Sequence, residues 1–171
     1  MHKSMMLALS LIVVGCATTG GGGELAAKAR LLPTKGNDVA GTITFTQNDG
    51  RVKVMARMSG LKPGLHGIHI HETGDCNAPD GSSAGGHYNP GGSRHGHPHG
   101  GEHHAGDLPM LDADANGNAT MTTEVLGISL HEKGNDIVGR SVIVHAGADD
   151  YVTQPAGNSG PRVACGVIAR Q

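Results

Sequence analysis

Hydrophobic and polar residues alternate most clearly between positions 51 and 58. Val52, Val54, Ala56 and Met58 lie there at every second position, opposite mostly charged residues. A period of two places the apolar side chains on one face of a β-strand and the charged side chains on the other. This segment is therefore predicted to be a strand with one buried face and one face in solvent.

Further segments are short, rich in β-branched or apolar residues, and bounded by Gly, Asn, Asp or Pro. They span residues 25–32, 39–46, 65–71, 119–126, 140–145 and 163–169. No segment has a convincing helical period. The sequences Asn-Asp-Gly at 48–50 and Asp-Ala-Asn-Gly at 114–117 are typical of hairpin turns. The pattern predicts an all-β fold, an antiparallel sandwich or barrel of seven or eight strands.

The composition limits the number of domains and the classes of partner. The chain has 171 residues, of which 37% are hydrophobic and 2% aromatic, with no Trp and 29 Gly. This is enough apolar material for one modest core. The formal net charge is -2 with His neutral, and no block of Lys and Arg occurs. Because a nucleic-acid-binding protein carries such a basic patch, nucleic acid is excluded as an expected partner.

Residues 1–15 are predicted to be a signal peptide. Lys3 precedes an apolar run at 5–14, which has the length of a signal-peptide core and is too short for a membrane-spanning helix of about 20 residues. The run ends in a Val-Val-Gly-Cys sequence at 13–16 that resembles the bacterial lipobox, in which the Cys becomes the acylated N-terminus. Residues 16–23 are therefore interpreted as a lipid-anchor cysteine, Cys16, and a flexible tether.

This interpretation places the protein in the periplasm, tethered to the outer membrane because Ala17 rather than Asp follows Cys16. A plain secreted protein with a chance cysteine is the alternative. With Cys16 set aside for lipid, Cys76 and Cys165 remain as one pair that can close a disulfide. Two free buried thiols are the alternative, which an oxidising periplasm disfavours.

Two long stretches do not fit strands. Residues 72–106 are rich in Gly, Pro and His, and residues 146–161 form a shorter stretch of the same kind. Loops longer than about 15 residues in a compact domain are usually functional or disordered. Potential metal ligands lie at or beyond the ends of these loops or inside the first one. We therefore expect bound metal to order the loops.

The potential ligands form one ordered series along the chain. It comprises His69, His71, His87, His95, His104, Asp107 and His145. His69 and His71 are two apart on a predicted strand, so both side chains point to one face, and His145 at the end of another strand can join them. His95, His104 and Asp107 offer two nitrogens and one oxygen. A shared His87 would complete a closed four-ligand site of the structural zinc type.

Several motifs together resemble those of one known family. They are Gly67-Ile68-His69-Ile70-His71-Glu72, Gly74-Asp75-Cys76, Ala84-Gly85-Gly86-His87-Tyr88-Asn89-Pro90, His104-Ala105-Gly106-Asp107-Leu108, Val144-His145-Ala146-Gly147-Ala148-Asp149-Asp150 and Arg162-Val163-Ala164-Cys165-Gly166-Val167-Ile168. The family is that of the copper,zinc superoxide dismutases, in its exported bacterial branch. The resemblance covers nearly all of residues 24–171. It implies an eight-stranded antiparallel Greek-key β-barrel, flattened like a sandwich, with two long functional loops.

The resemblance also implies a role for each candidate residue. The implied copper ligands are His69, His71, His87 and His145, and the implied zinc ligands are His87, His95, His104 and Asp107. His87 would bridge the two metals, since an imidazole deprotonated at both nitrogens binds one metal through each. Asp149 would orient His69 and His95. Arg162 would attract and hydrogen-bond the superoxide anion, so Arg162 and His87 are the expected catalytic residues.

The implied activity is conversion of superoxide to dioxygen and hydrogen peroxide by alternate reduction and reoxidation of copper, with one copper and one zinc in each subunit. The alternative is a non-catalytic periplasmic copper- and zinc-binding lipoprotein, which would have no use for Asp149 or Arg162. The expected partners are superoxide and, through acylated Cys16, a lipid membrane. A homodimer is a possible further assembly, and the sequence leaves the oligomeric state open.

Two features depart from the family pattern. Asp149 and Asp150 are the only charged residues of 146–161, and the lysines that this loop carries in many relatives are missing. Strong electrostatic steering of the substrate by this loop is therefore not expected. The residues His97, His99 and His103 crowd the first loop. A solvated His-rich surface with weak adventitious metal binding is favoured for them over a metal-recruiting role.

Overall fold

A computed structural model describes residues 25–171. The predicted signal peptide at 1–15 and the predicted lipid anchor and tether at 16–23, including Cys16, lie outside the described residues and stay predictions. Within residues 25–171, no helix has the length and apolar character needed to cross a membrane.

Nine antiparallel β-strands form the fold of these residues. They are β1 (Leu25–Pro33), β2 (Ala40–Asn48), β3 (Arg51–Ser59), β4 (Gly64–His66), β5 (Ile68–His71), β6 (Leu111–Ala113), β7 (Ala119–Val125), β8 (Ser141–His145) and β9 (Arg162–Arg170). Their order is β4-β6-β7-β3-β2-β1-β9-β8-β5. Because β4 and β5 follow each other in the chain yet lie at opposite ends of this order, the sheet curls into a nearly closed barrel. The predicted all-β Greek-key barrel is confirmed.

The strand count exceeds the expected eight by one. The segment predicted as a single strand at 65–71 is divided at Gly67, because β4 pairs with β6 whereas β5 pairs with β8. A Cβ atom at Gly67 would lie 2.6 Å from the Ser159 hydroxyl, so only glycine fits at this corner. The pattern missed β6, since a strand of three residues is too short to show an alternation.

Both predicted hairpin turns are present. Asn48 pairs with Arg51 across a two-residue turn in which Asp49 and Gly50 have φ values of 46° and 76°. Positive φ at both central positions matches the right-handed twist of the flanking strands. At 114–117 the Asp114 Oδ1 atom accepts two backbone N–H groups and closes the turn between β6 and β7.

The inward faces of the strands form the core. The alternating residues of β3 that the sequence pattern singled out, Val52, Val54, Ala56 and Met58, are all buried. In β5 all four residues are buried, although two of them are His. The isoleucines of β5 pack in the hydrophobic core. His69 and His71 alternate with them and point to the opposite face, which the long loops cover.

Two loops cover that face, as expected from the sequence. The first runs from residue 72 to residue 110 and contains one short 3₁₀ turn, Ser82–Ala84, and the second spans residues 146–161. A disulfide between Cys76 and Cys165, with their Cα atoms 5.8 Å apart, joins the first loop to β9. The predicted cysteine pairing is confirmed. The bridge ties this loop to the strand that begins with Arg162.

Candidate metal centre

Strand β5 and the loop that follows it bring the histidines together. β5 pairs with β8 on one side, which places His145, at the end of β8, beside β5. On its other side the first loop returns along β5 and forms single bridges, His71 with His87 and His69 with Asp107. Backbone hydrogen bonds between Ile70 and the loop hold this arrangement. The strand register therefore sets the positions of ligands that are far apart in sequence.

The first ligand group consists of four buried histidines. They are His69, His71, His87 and His145, and their facing ring nitrogens all lie within 4.8 Å of one another. In each ring one nitrogen has no hydrogen-bond partner. These atoms are His69 Nδ1, His71 Nε2, His87 Nε2 and His145 Nε2. Leaving four buried polar atoms unpaired is costly, so their convergence indicates a site built for a metal ion.

The other nitrogen of each ring determines which atom carries the lone pair. His71 Nδ1 donates to the Gly85 carbonyl and His145 Nδ1 to the Gly160 carbonyl, both at 3.0 Å. His69 Nε2 donates to Asp149 Oδ2 at 2.6 Å. Because a neutral imidazole has one N–H and one lone pair, these bonds leave the lone pairs on the converging nitrogens.

Burial keeps these rings in the form that binds metal. It lowers the pKa of His69 to about 4 and that of His145 to about 3, and it holds the pKa of His71 well below the ordinary value. The mutual repulsion of neighbouring imidazoles acts in the same direction. At neutral pH the rings are therefore uncharged, and no proton has to leave before a metal binds.

The second ligand group is closed and contains one carboxylate. Its members are His87, His95, His104 and Asp107. The Asp107 Oδ1 atom lies 2.9 Å from His87 Nδ1, 3.0 Å from His95 Nδ1 and 3.5 Å from His104 Nδ1. Ligands of a tetrahedral zinc ion with bonds of about 2.0 Å lie about 3.3 Å apart, which is close to these separations. The geometry thus fits a tetrahedral ion.

Backbone contacts prepare the Asp107 carboxylate for this role. Its Oδ2 atom accepts the N–H groups of Gly96 and His104 at 3.1 and 2.8 Å, so Oδ1 is left to face the rings. Burial by itself would raise the pKa of Asp107. The hydrogen bonds from His87 and from these backbone groups outweigh burial, and the pKa is lowered. The carboxylate is therefore ionised at neutral pH.

His87 belongs to both groups. Its Nδ1 atom faces Asp107 in the second group, whereas its Nε2 atom is one of the unpartnered nitrogens of the first. The ring itself is buried. One imidazole thus presents a nitrogen to each group, which is the arrangement that a bridging ligand requires.

Asp149 hydrogen-bonds one histidine of each ligand group. Its Oδ2 atom accepts from His69 and its Oδ1 atom accepts from His95 Nε2 at 2.9 Å, while the Tyr151 N–H also donates to Oδ1. Burial by itself would raise the pKa of Asp149, but these hydrogen bonds hold it well below the ordinary range. The ionised carboxylate orients one ring of each group, which is the position that the sequence analysis expected for it.

Two residues of the second loop were not anticipated from the sequence. The Gln154 side-chain amide accepts the His95 N–H and donates to the His95 carbonyl, each at 2.9 Å. Gly157, with a φ of 66°, packs so closely on Asp149 that a Cβ atom would overlap the carboxylate. Nothing in the local sequence marks either residue, because Gln154 contacts a residue 59 positions away and Gly157 packs on a carboxylate whose place is set by its bonds to His69 and His95.

Arg162 lies at the start of β9 beside the first group. Its Nη1 and Nη2 atoms donate to the carbonyls of Gly81 and Gly85, both at 2.7 Å. Its charge acts on the rings, since it lowers the pKa of His71 and His145 to a small extent after burial and the neighbouring imidazoles. The guanidinium also lines a cavity of about 530 Å³.

The remaining histidines take no part in these groups. Within residues 25–171 the two groups are the only clusters of three or more potential ligands. His66 hydrogen-bonds the carbonyls of His145 and Lys62. In the His-rich tract, the His97 Nδ1 atom accepts the His99 N–H, and His103 Nδ1 donates to a backbone carbonyl. The tract therefore forms no further preassembled site.

The fold is a β-barrel that carries two ligand groups with one shared imidazole ring. One group is open and consists of four imidazoles, and the other is closed and consists of three imidazoles and one carboxylate. Together they define a protein with two linked metal sites. Residues 39–168 match the family model described as Copper/zinc superoxide dismutase (SODC), and the chain belongs to this family. A relative from Deinococcus radiodurans, Superoxide dismutase (Cu-Zn), is 40% identical over 177 aligned residues, which cover 95% of this chain and 93% of the relative. The family's metals are copper and zinc, and the protein is an oxidoreductase.

Proposed function

We propose that this protein disproportionates superoxide outside the cytoplasm, with His69, His71, His87 and His145 as the copper ligands. The observation that carries the proposal is the convergence of four unpartnered imidazole nitrogens beside a fixed guanidinium. A non-catalytic metal buffer would need the imidazoles, but it would have no use for the guanidinium of Arg162. The charge at this position is what favours the enzyme.

The donor types support the assignment of each metal. Four imidazole nitrogens with room for a further ligand suit copper, whereas three imidazoles and one carboxylate in a closed tetrahedron suit zinc. We therefore assign zinc to the group of His87, His95, His104 and Asp107. When bound, copper supplies the one-electron chemistry by which one superoxide is oxidised to dioxygen and another, with two protons, is reduced to hydrogen peroxide.

Arg162 binds and orients the anion. Two of its five N–H groups are engaged with the Gly81 and Gly85 carbonyls, which fixes the plane of the guanidinium and leaves three donors. A guanidinium stays protonated at all relevant pH values. Arg162 can therefore attract superoxide and hydrogen-bond it while transferring no proton itself.

His87 provides a place for a proton next to the anion. Its Nδ1 atom is directed at Asp107, so Nε2 is the nitrogen that would hold the first metal and that could carry a proton instead. We propose that Nε2 holds one of the two protons that peroxide formation consumes. The buried carboxylate of Asp149 keeps the neighbouring His69 ring in place during this exchange.

Metal analysis and activity, measured on one preparation, test the proposal. The purified protein, reconstituted with copper and zinc, is expected to contain one equivalent of each and to remove superoxide in a pulse-radiolysis or stopped-flow assay. Reconstitution with zinc alone is the matched control and should yield an inactive protein. Full copper and zinc loading with no dismutase activity would overturn the enzyme assignment in favour of the metal buffer.

We also propose that the protein is exported and anchored by lipid at Cys16. The apolar run at 5–14, the lipobox-like residues at 13–16 and the Cys76–Cys165 disulfide support this location, since disulfides persist in oxidising compartments. In a bacterial host, the wild-type chain should appear in the membrane fraction with the mass of an acylated N-terminal Cys16. Cys16→Ser should release it. Recovery of the wild type from the cytosol, unprocessed, would refute the proposal.

A further inference from the structure

Five exposed basic residues point outward from two strands of the barrel. Lys28 and Arg30 lie on β1, and β3 carries Arg51, Lys53 and Arg57. Strand β2 lies between these two strands and pairs with both. Side chains at every second position of a strand share one face, as do those of cross-strand partners. The five side chains therefore lie on one outer surface of the barrel, which we call the basic face.

Strand pairing creates this cluster, although the sequence has no block of basic residues. Arg30 pairs with Thr42, which in turn pairs with Arg57, so the two arginines are two strand spacings apart, about 10 Å at the backbone. Lys28 pairs with Thr44 in the next outward row. Like charges at this distance repel one another weakly, and an anionic partner would remove that repulsion.

Acidic residues balance only one end of the basic face. Asp49 lies there in the turn between β2 and β3, and Glu124 of β7 forms an ion pair with Arg51 at 3.9 Å. Within residues 25–171, three basic residues further from this end have no carboxylate oxygen within 4 Å. They are Lys28, Arg30 and Arg57. The whole chain has a net charge of -2, so the positive charge is local to this surface.

Two exposed apolar side chains adjoin Arg30 on the same surface. Leu32 lies two positions further along β1 and is 55% exposed. Val167 of β9 is 40% exposed, and it points to the same side because Ala169, two positions later, pairs with Lys28. Basic side chains beside exposed apolar ones are the combination by which proteins lie on the surface of an anionic bilayer.

The basic face is on the opposite side of the core from the two ligand groups. His69 and His71 project from β5, and His145 projects from the end of β8. These strands are at one end of the strand order, whereas β2 and β3 are near its middle. In a nearly closed barrel the two positions lie across the core from each other. A partner on the basic face thus leaves the ligand groups and the cavity beside Arg162 facing solvent.

We propose that the basic face docks on an anionic phospholipid bilayer and so sets the orientation of the barrel on the membrane. The inference rests on the proposed lipid anchoring at Cys16. Residues 16–24 lead directly to β1 and extend at most about 30 Å, so an anchored barrel stays within reach of the bilayer. A second copy of the chain is a poor occupant, because two basic faces repel each other.

This contact orients the anchored barrel and does not replace the anchor. A few basic residues bind an anionic surface weakly and reversibly, and stable attachment needs a second signal such as a lipid. The basic face therefore acts on a protein that the lipid already holds close to the bilayer. The metal centre is then directed away from the membrane.

Vesicle binding of the Cys16→Ser chain, which carries no lipid, measures the contribution of the basic face. At an ionic strength of about 0.05 M it should bind vesicles of equal parts phosphatidylcholine and phosphatidylglycerol, and pure phosphatidylcholine vesicles much less. Adding Lys28→Gln and Arg57→Gln should lower the partition coefficient about 20-fold, because each basic residue near such a surface contributes about fivefold. Binding to the mixed vesicles should be lost at about 0.5 M salt.

Arg94→Gln combined with Lys133→Gln, in the same Cys16→Ser chain, is the matched control. Both residues are exposed, lie in loops away from the basic face, and together carry the same charge as the substituted pair. The control should bind within about twofold of the Cys16→Ser chain. Residues before β1 are identical in every variant, so differences report the substituted positions. An equal loss in both pairs, or equal binding to both vesicle types, would overturn the docking role.

Lysine acetylation gives a second readout on the acylated wild-type chain, with no substitution that affects folding. The chain is incorporated into either vesicle type, treated with an N-hydroxysuccinimide ester of acetate, and analysed by mass spectrometry. On the mixed vesicles Lys28 and Lys53 should react several-fold more slowly than on phosphatidylcholine vesicles, whereas Lys133 should react equally on both. Equal rates for Lys28 on the two vesicle types would refute the proposed orientation.

The outcomes separate this inference from the proposed anchoring. A wild-type chain without acylated Cys16, whose Cys16→Ser form still binds mixed vesicles through Lys28 and Arg57, would refute the anchor alone. An acylated chain whose binding and acetylation ignore the vesicle charge would refute the docking alone. Charge-dependent binding to peptidoglycan sacculi without binding to vesicles would overturn the bilayer as the partner in favour of a cell-wall polymer.

Discussion

His71 and Arg162 donate hydrogen bonds to the same acceptor, the carbonyl oxygen of Gly85. The His71 Nδ1 atom lies 3.0 Å from this oxygen and the Arg162 Nη2 atom 2.7 Å from it. One peptide group, two residues before His87, thus orients both a proposed copper ligand and the proposed anion-binding residue. Any shift of this carbonyl changes both functions together.

Gly85→Ala should therefore damage copper binding and catalysis at once. Gly85 has a φ of 74° and a ψ of -154°, a backbone conformation that alanine rarely adopts, and a Cβ atom there would lie 2.6 Å from the Glu72 carboxylate, so alanine should shift both the backbone and the Glu72 side chain. We expect copper affinity to fall about tenfold or more, the usual cost of disturbing a group that orients a ligand. Competition with a copper chelator measures it.

Gly92→Ala is the matched control for this prediction. Gly92 lies in the same loop with a φ of 66°, but nothing surrounds its Cβ position within 4 Å. The positive φ disfavours alanine there as well, but copper affinity should not change. If the two variants retain copper equally, the Gly85 carbonyl has no role in orienting His71 and Arg162.

Removal of the His145 ring should affect copper binding but not zinc binding. His145→Ala is expected to abolish dismutation and weaken copper binding, while one zinc per chain and the fold are retained, because His145 does not belong to the second group. Metal content by mass spectrometry and circular dichroism check this expectation. His99→Ala, at an exposed ring outside both groups, should behave as wild type. Full dismutase activity in His145→Ala would contradict the copper assignment.

Asp149→Asn should weaken both sites. The carboxylate accepts hydrogen bonds from His69 on one oxygen and from His95 on the other. An amide of the same shape offers only one acceptor oxygen, so its NH₂ group would face the N–H of either His69 or His95. That ring must then change its tautomer or rotate. We expect metal affinity to fall about 10- to 100-fold.

The distinguishing observation is that the Asp149→Asn variant loses affinity for zinc as well as for copper. Chelator competition with each metal measures this, and Asp150→Asn, at the exposed neighbouring carboxylate, is the control. Unchanged zinc affinity in Asp149→Asn would show that the contact with His95 does not support the second group.

The metal-free protein should lose stability as the pH falls below about 6.5. Burial lowers the pKa of His69 to about 4 and that of His145 to about 3, whereas both titrate near 6.5 in the unfolded chain. Between these values the unfolded state binds more protons, so the free energy of unfolding decreases with falling pH. Each ring contributes a slope of up to about 1.4 kcal/mol per pH unit.

Denaturant unfolding of the metal-free protein at pH 7.5, 6 and 5 measures this dependence, with the disulfide kept oxidised. His145→Asn should show a shallower decrease, since it removes one of the rings that must stay neutral. A free energy of unfolding that does not change between pH 7.5 and pH 5 would mean that the rings are not held neutral by burial.

Much of the fold follows from local patterns. The alternation in β3 and the Asp-Gly turn at 49–50 each act between near neighbours in the chain, so their outcome is readable from the sequence. The division of 64–71 into β4 and β5 is not, because it depends on two different partner strands. Likewise β6 is stabilised by its neighbours rather than by its own three residues.

The sequence by itself determined the types of the ligands and the common direction of His69 and His71, since side-chain chemistry and the two-residue period of a strand are local properties. Only the tertiary structure decided which nitrogen of each ring is free and which distant residues support the rings. Gln154 hydrogen-bonds His95, and Lys35 and Arg162 line the same cavity. Both contacts arise because distant segments of the chain pack together, which no local pattern encodes. The physical reason is that hydrogen-bond partners and shared cavities depend on how strands pair and loops return, whereas ligand type depends on the side chain alone.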